Sequence, residues 1–438
     1  MSMKIKQRIA LLTLLAAVIL SGCSAEGQSS SSYEYFGIEN EQSDSQNVPF
    51  DIMTGTPAPD TPYLQYLGSL ELTETKAAKL YLENYADGLG GAVISVEYVR
   101  PERLAARLSE RISADLSPDL CDKLASSYPY LMSKNLYEDL TAYIDLTAPQ
   151  WDDYSAYIDS LSIGGARYFY PTSLTVSPNV LLYDRRTFSR LGLPDPAQLW
   201  QNGSWTRSEM SRYLEYAPGI GGESVLENFL AGSGLSLITA DSGSFALRLN
   251  EEAFAKTALF VNENYFDVYS LDNALPLPNA EYLSFVSVND EKLAEIRLAY
   301  PDGDFAVVPY PADEEADSPA YLALSEGFLV PKRAKNIKGA ASFINCSRIA
   351  AENDEQSASQ SGLPDSDIEI LTALRSDNAY PAVLIDSYCL DDASNELIKE
   401  LISEICGNRS LSEEWDLIMR DYGSPLFRAV SDVNESLD

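Results

Sequence analysis

Histidine is absent from this sequence, and cysteine is scarce. The 438 residues include no histidine and only five cysteines: Cys23, Cys121, Cys346, Cys389 and Cys406. Without histidine, neither Ser-His-Asp nor Cys-His nucleophiles can form, and every metal site with a histidine ligand is excluded. No cysteines show C-x-x-C spacing, and no G-x-S-x-G or P-loop motif occurs. We therefore expect no catalytic residue, no metal site and no cofactor.

Basic residues are also few. The chain has 31 Lys and Arg residues against 66 Asp and Glu residues, for a formal charge of −35. Such a surface repels nucleic acid, because phosphate binding requires clustered basic side chains. A cationic solute would be favoured electrostatically, although solubility alone also explains the charge. The hydrophobic content of 45% indicates a folded protein, and the length favours two packed lobes over one core.

The first 23 residues carry the features of a bacterial lipoprotein leader. Lys4, Lys6 and Arg8 precede an apolar run over 9–20, which is too short to span a bilayer but suits a signal peptide. The following LSGC, at 20–23, resembles the lipobox, in which Cys23 is diacylated. Residues 1–22 are then a signal peptide, and the protein is lipid-anchored on the extracytoplasmic face of the cell membrane. The alternative is an ordinary secretory signal with a coincidental cysteine.

Residues 23–58 are rich in serine and acidic residues. Such a composition buries too little apolar surface to offset the entropy of ordering. The segment is predicted to be a flexible tether between the anchor and the folded body.

Strand and helix patterns alternate along the first part of the folded body. Strands are predicted at 63–70, 92–99 and from 117, and helices at 73–85 and from Pro101. This order predicts right-handed βαβ units in a mostly parallel sheet. Ligands bind beyond the carboxyl ends of the strands in such sheets, so the segment after the third strand is a candidate contact.

Several weak motifs then occur in a recognisable order. They are SPDL (117–120), LYEDL (136–140), YIDL (143–146), YFYPT (168–172), NVLLYD (179–184), GLPDP (192–196), GSWT (203–206), FAVVPYP (305–311), GFLVPKRAKN (327–336) and SLSEEW (410–415). Together they resemble family 1 extracellular solute-binding proteins, the sugar-type receptors of ABC transporters. The first strand, around 64–70, matches poorly, and 281–288 stands where a family segment that shapes the pocket is missing.

The resemblance implies a two-lobed α/β fold of the periplasmic-binding-protein type (type II), with a ligand cleft at the hinge. It places lobe 1 at 59–172 and 322–378 and lobe 2 at 173–321 and 379–438. Chain crossings are expected near 171–176, 320–328 and 376–388. The implied protein is a monomer that captures a mono- or oligosaccharide and delivers it to the permease subunits of an ABC importer.

Candidate ligand contacts follow from the chemistry of sugars. Aromatic rings pack on the C–H faces of a pyranose, and hydroxyl or carboxylate groups bind its hydroxyls. The residues selected on this basis follow the third strand or lie at the crossings: Ser126, Ser127, Tyr128, Tyr170, Thr172, Ser173, Glu326 and Phe328. Trp151, Trp200 and Trp205 are interpreted as packing residues, with Ser204 as a helix N-cap and with Thr206 and Glu209 forming a capping box.

Other interpretations stay open from the sequence. A secreted glycan hydrolase that uses two carboxylates is one, because 66 acidic residues leave many possible pairs. A surface sensor or adhesin is another, and a third keeps the fold but binds a peptide, polyamine or other non-sugar. Cys389 and Cys406 either form a disulfide or remain free thiols.

Overall fold

A computed structural model of the chain describes residues 33–38, 56, 59–72, 75–89, 91–123, 130–177, 179–216, 219–241, 244–267, 277–278, 284–317, 319–354, 363–376, 382–384 and 390–437. The strands are β1 (Tyr33–Ile38), β2 (Tyr63–Gly68), β3 (Ala92–Tyr98), β4 (Leu120–Asp122), β5 (Phe169–Val176), β6 (Asn179–Asp184), β7 (Ile220–Gly222), β8 (Ile238–Asp241), β9 (Ser244–Leu247), β10 (Phe285–Asn289), β11 (Phe305–Val308), β12 (Tyr321–Leu329) and β13 (Ala382–Leu384).

The helices are α1 (Lys76–Leu89), α2 (Pro101–Ser113), α3 (Tyr130–Ser133), α4 (Ser155–Ser160), α5 (Arg185–Arg190), α6 (Pro196–Gln201), α7 (Arg207–Leu214), α8 (Val225–Gly232), α9 (Glu252–Asn264), α10 (Asp290–Ala299), α11 (Ile337–Asp354), α12 (Asp365–Ser376), α13 (Asp392–Gly407), α14 (Leu411–Ile418) and α15 (Ser424–Glu435). A 3-10 turn spans Pro149–Trp151, and a π-helical turn, Met419–Gly423, joins α14 to α15. None of the helices in the described ranges is both long and apolar enough to cross a bilayer.

The first sheet contains the βαβ units predicted from the sequence. Its order is β1-β3-β2-β4-β12-β13, with β5 paired to β12. β2 runs parallel to both β3 and β4, and α1 and α2 are the crossover helices. The sheet is mixed rather than mostly parallel, because β1 is antiparallel to β3 and β12 is antiparallel to both β4 and β5.

Side-chain alternation gives this sheet two buried faces. On one face, Tyr66 and Ile94 pack with Phe343 of α11. On the other face, the adjacent Leu67 packs with Leu104 and Leu108 of α2. The second half of β2, from Tyr66 to Gly68, is buried on both faces, which is typical of strands covered by helices on both sides.

The second sheet has the order β11-β6-β10-β7. One face packs against α12, where Leu371 lies with Val286 and Leu182. Asp367 of α12 forms a buried ion pair with Arg297 at 2.8 Å, and burial raises the pKa of this carboxyl while Arg297 opposes the rise. Residues 365–376 thus pack on the second sheet, which differs from the division that assigned 322–378 to lobe 1.

An antiparallel ribbon of β5 and β12 joins the two sheets. β5 pairs with β12 from Phe169 to Val176 and leads directly into β6 of the second sheet. β12 follows β11 back into the first sheet, and β13 adds a parallel strand beside its first residues. β5 and β12 lie at the expected crossings near 171–176 and 320–328, whereas α12, which precedes the third expected crossing at 376–388, already packs on the second sheet.

Part of the predicted flexible tether is a strand. Residues 23–58 were expected to be flexible, yet β1 within them pairs along its full length with β3, from Tyr33 opposite Glu97 to Ile38 opposite Ala92. The physical reason lies in its sequence, YEYFGI, because aromatic and β-branched residues favour strands while the surrounding serines do not. The prediction rested on the composition of the whole segment, so it did not detect this short strand.

Candidate functional site

The topology brings the carboxyl ends of the parallel strands of both sheets to opposite sides of the ribbon. In the first sheet, β4 ends at Asp122, which lies opposite Phe328 of β12. In the second sheet, β10 ends at Asn289, opposite Asn179 at the start of β6, and β6 begins where the ribbon ends. The two carboxyl edges therefore flank the middle of the ribbon. Ligands bind at such edges in open α/β sheets.

A hydrogen-bonded carboxylate occupies the first of these edges. Asp122 is buried and accepts from the Tyr66 hydroxyl through one oxygen. Its other oxygen accepts from the Ser69 backbone N–H at 2.6 Å and from the Ser69 hydroxyl at 2.8 Å. Burial is the main cause that raises the pKa of Tyr66, with the Asp122 charge next, so the hydroxyl stays protonated as a donor.

Gly68 is required for this arrangement. A Cβ atom at Gly68 would lie 2.1 Å from the Tyr66 hydroxyl oxygen and 2.5 Å from a carboxylate oxygen of Asp122. The last residue of β2 thus leaves room for the pair. Leu70 follows with 49% of its surface exposed, and its backbone N–H donates to the Tyr66 hydroxyl at 3.0 Å.

The ribbon contributes polar groups beside Asp122. The Lys123 ammonium donates to the Ser325 hydroxyl at 3.0 Å and lies 5.0 Å from the centre of the Phe169 ring. The Ser173 hydroxyl donates to the exposed carboxylate of Glu326 at 3.2 Å. We define the edge site as Tyr66, Ser69, Asp122, Lys123, Ser173, Ser325 and Glu326.

The second edge is formed mainly by backbone. Gly222 ends β7 with φ +105, and a Cβ there would lie 2.3 Å from the Ser287 carbonyl oxygen of β10. The Ser287 hydroxyl donates to the Glu223 carbonyl at 2.6 Å. α8 begins two residues later, after Ser224 in a left-handed conformation. Only glycine permits this close approach of β7 and β10.

The structure describes only some of the residues predicted as ligand contacts, and it places these at the edge site or in the core. Ser126, Ser127 and Tyr128 lie outside the described residues, as does Cys23. Ser173 and Glu326 belong to the edge site, and the buried Thr172 donates to the Glu326 carbonyl at 3.3 Å. Tyr170 and Phe328 are buried in the core of the first lobe.

Packing accounts for both of these rings. Tyr170 has no exposed surface and lies edge-on to Trp151, at a centroid distance of 5.6 Å. Phe328 contacts Tyr66 and Phe343 in the same manner. Tyr170 and Phe328 therefore belong to the core and not to the ligand contacts. Trp205 is a packing residue as predicted, and its indole N–H donates to the Pro309 carbonyl at 2.8 Å.

Sequence reasoning missed Tyr66, Ser69, Asp122 and Lys123. For two of them, position was the available signal, because Asp122 ends the third strand and Lys123 directly follows it. The predicted N-cap at Ser204 is wrong, whereas the predicted pairing of Thr206 with Glu209 is present. Thr206 caps α7 by accepting from the Glu209 N–H. Thr206 holds the extended conformation required of an N-cap.

Other charged groups lie away from the edge site. A cavity of about 960 Å³ opens at the far end of β6, where Arg185 pairs with Asp195 and Arg186 with Asp304. Cys406 is a free thiol whose pKa burial raises to about 12. Its proposed disulfide partner, Cys389, lies outside the described residues. Within the described ranges, no group of three or more acidic or cysteine side chains is placed to hold a metal ion.

The fold is similar to solved structures of sugar-binding proteins. A cyclo/maltodextrin-binding protein complexed with maltotetraose matches with a TM-score of 0.55 at 13% identity, over 86% of this chain and 97% of that chain. The cyclic alpha-maltosyl-1,6-maltose binding protein from Arthrobacter globiformis matches with a TM-score of 0.55 at 16% identity, over 85% and 99%.

A third similar structure is the GacH receptor of Streptomyces glaucescens, solved unliganded and with acarbose. Its TM-score is 0.51 at 14% identity, over 84% of this chain and 99% of that chain. No family model and no curated protein matches the sequence. The fold implied by the sequence motifs is confirmed: the chain has the two-lobed α/β architecture of the type II periplasmic-binding proteins.

Proposed function

We propose that the chain is an extracytoplasmic solute-binding lipoprotein that captures a mono- or oligosaccharide and delivers it to an ABC importer. One observation carries this proposal: a hydrogen-bonding side-chain cluster lies at the carboxyl edge of the first sheet, across the ribbon from the second edge. The fold that presents this cluster is shared with proteins whose structures contain bound sugars.

The edge site suits a polyhydroxylated solute. The hydroxyls of Ser69, Ser173 and Ser325 donate or accept, the Glu326 carboxylate accepts, and the exposed Leu70 offers an apolar surface. A sugar needs this combination, because its hydroxyls alternate with C–H faces. We retain Ser126, Ser127 and Tyr128 as proposed contacts, since they follow Lys123 in the chain.

Binding works through closure of the two lobes. A solute that touches both carboxyl edges binds the closed state more tightly than the open one, so its binding shifts the population toward closure. The ribbon of β5 and β12 is the element that must bend. The permease then distinguishes the closed receptor from the open one. No bond of the solute is broken, which fits a chain without histidine.

Isothermal titration calorimetry with a defined panel tests the proposal. The panel contains glucose, mannose, maltotetraose, mannotriose and spermidine, and the full chain is titrated with each. We expect saturable binding of at least one sugar, with recovery of the unchanged sugar by mass spectrometry. Spermidine binding alone would favour the polyamine alternative, which the exposed Glu326 and the charge of −35 support. Conversion of a sugar to shorter products would favour the hydrolase.

A further inference from the structure

β1 attaches the chain between the lipidation motif and the folded body to the edge of the first sheet. Six consecutive residues pair in register with β3, and β1 also contacts α1. An edge strand leaves a row of unpaired backbone groups, which a further strand can satisfy. Here the chain itself supplies that strand.

The direction of β1 determines where the preceding chain leaves the fold. β1 is antiparallel to β3, so its first residue, Tyr33, lies opposite Glu97 near the carboxyl end of β3. β2 is parallel to β3, and its last residue, Gly68, lies opposite Tyr98. The segment that reaches back to Cys23 therefore departs from the same edge of the sheet that carries Asp122.

The docked strand also shortens the connection to the lipid. Ten residue-to-residue steps lead from Cys23 to Tyr33, and a chain spans at most about 3.3–3.6 Å per step, or roughly 36 Å. A flexible tether over 23–58 would reach roughly 120 Å by the same rule. The docked strand thus reduces the maximal reach by about a factor of three.

We propose that β1 holds the first lobe close to the membrane with its ligand-binding edge facing the bilayer. The docking of β1 does not depend on the proposed function, whereas the orientation rests on the proposed lipidation of Cys23. In this orientation, the edge site faces an importer in the same membrane. The receptor then does not have to search for the importer at the end of a long flexible tether.

Disulfide trapping tests the docking. Tyr35 lies opposite Ser95 in the register. Directly opposed residues of antiparallel strands have Cα atoms about 4.5–5.5 Å apart, which suits a disulfide. We expect the full chain with Tyr35→Cys and Ser95→Cys to form this bond at least tenfold faster than the control, Phe36→Cys with Ser95→Cys. In the control, the shift by one residue places the two thiols on opposite faces. Equal rates, or no bond in either variant, would overturn the docking.

Energy transfer tests the orientation. Leu70 and Leu116 are both exposed, at 49% and 59%, and lie at the carboxyl and amino edges of the same sheet. A donor dye is attached to the lipidated full chain through Leu70→Cys or Leu116→Cys, and the protein is bound to phosphatidylcholine vesicles with acceptor-labelled headgroups. The half-buried Cys406 contributes the same background to both variants.

We expect at least twofold more energy transfer from position 70 than from position 116. Equal transfer, or more transfer from position 116, would overturn the orientation. Failure of the lipidated chain to bind vesicles would overturn the anchor and the orientation together, while the trapping result would still decide the docking. Sugar binding is measured separately by calorimetry on the unmodified full chain, so failure of the sugar proposal is distinguishable from failure of the docking or of the orientation.

Discussion

The carboxyl edges of the two sheets are built differently. The first edge consists of side chains, with Asp122 bonded to Tyr66 and Ser69 and with Leu70 exposed beside them. At the second edge, the close contact is between backbone atoms, where Gly222 packs directly against Ser287. A side-chain edge can match the hydroxyl pattern of one solute, whereas a backbone edge offers a rigid surface. Under the proposed function, the first lobe determines specificity and the second lobe closes over the solute.

The cores behind the two edges also differ, in what their aromatic residues contact. In the second lobe, Phe285 lies at the centre of an aromatic cluster, and its ring is 5.3 Å from that of Phe188 and 5.8 Å from that of Trp205. In the first lobe, Tyr66 packs edge-on against Phe328 while its hydroxyl binds Asp122. One residue of the first lobe therefore belongs to both the core and the site, so changes there affect stability and binding together.

The largest expected effect is on the aromatic cluster of the second lobe. Phe285→Ala removes a fully buried ring and should lower the free energy of unfolding by about 3–5 kcal/mol. Urea denaturation of the full chain measures this loss. The control is Leu298→Ala, since Leu298 is 85% exposed and its loss should change stability by less than about 0.5 kcal/mol. A loss below about 1 kcal/mol for Phe285→Ala would mean that the ring is not a central packing residue.

The next effect concerns the carboxylate of the first edge. Asp122→Ala leaves the Tyr66 hydroxyl and the Ser69 N–H without their acceptor, which should destabilise the protein by about 1–3 kcal/mol. We also expect at least a tenfold loss of sugar affinity by calorimetry, because Ser69 loses its orientation. Phe285→Ala should instead leave the affinity of the remaining folded protein within about threefold. Equal losses of affinity in both variants would remove the distinction between the two lobes.

A smaller effect is expected when only one donor is removed. Tyr66→Phe retains the ring contact with Phe328 but deletes the hydroxyl, which should cost about 1 kcal/mol of stability, because Asp122 keeps its two bonds from Ser69. Urea denaturation measures the loss. Tyr63→Phe is the matched control at a 60% exposed position and should be neutral. Neutrality of Tyr66→Phe would show that the bond to Asp122 contributes nothing.

The smallest effect separates binding from stability within the ribbon. Glu326→Gln keeps an oxygen that accepts from Ser173, and the side chain is exposed, so stability should change by less than about 0.5 kcal/mol. Affinity for a neutral sugar should fall by two- to threefold, whereas affinity for spermidine should fall by at least tenfold. Calorimetry with both ligands measures the difference. A destabilisation above 1 kcal/mol would show that Glu326 is structural.

The sequence motifs predicted the fold well because their residues form hydrogen bonds with residues of other motifs. Asp119 of SPDL accepts from the backbone N–H of Asn336 in GFLVPKRAKN at 2.7 Å. Trp205 of GSWT donates to Pro309 of FAVVPYP, and Tyr183 of NVLLYD bonds Asp195 of GLPDP. Such residues therefore indicate how distant segments of the chain pack together. Because these residues are bonded to one another, they say little about the solute.

The edge site was harder to predict for a physical reason. Tyr66 and Asp122 are 56 positions apart, and only the parallel pairing of β2 and β4 brings them together. Tyr170 and Phe328 were selected because aromatic rings bind sugars, but the same rings also fill cores. β1 was missed because its four strand-favouring residues, Tyr33, Tyr35, Phe36 and Ile38, lie within a long polar segment.

Small-angle X-ray scattering of the full chain, with and without a saturating sugar identified by calorimetry, tests closure of the lobes most directly. We expect the radius of gyration to fall on saturation, because a solute held between the two edges favours the closed state. An unchanged radius of gyration, with calorimetry confirming that the sugar is bound, would contradict the proposal that the two lobes close around it.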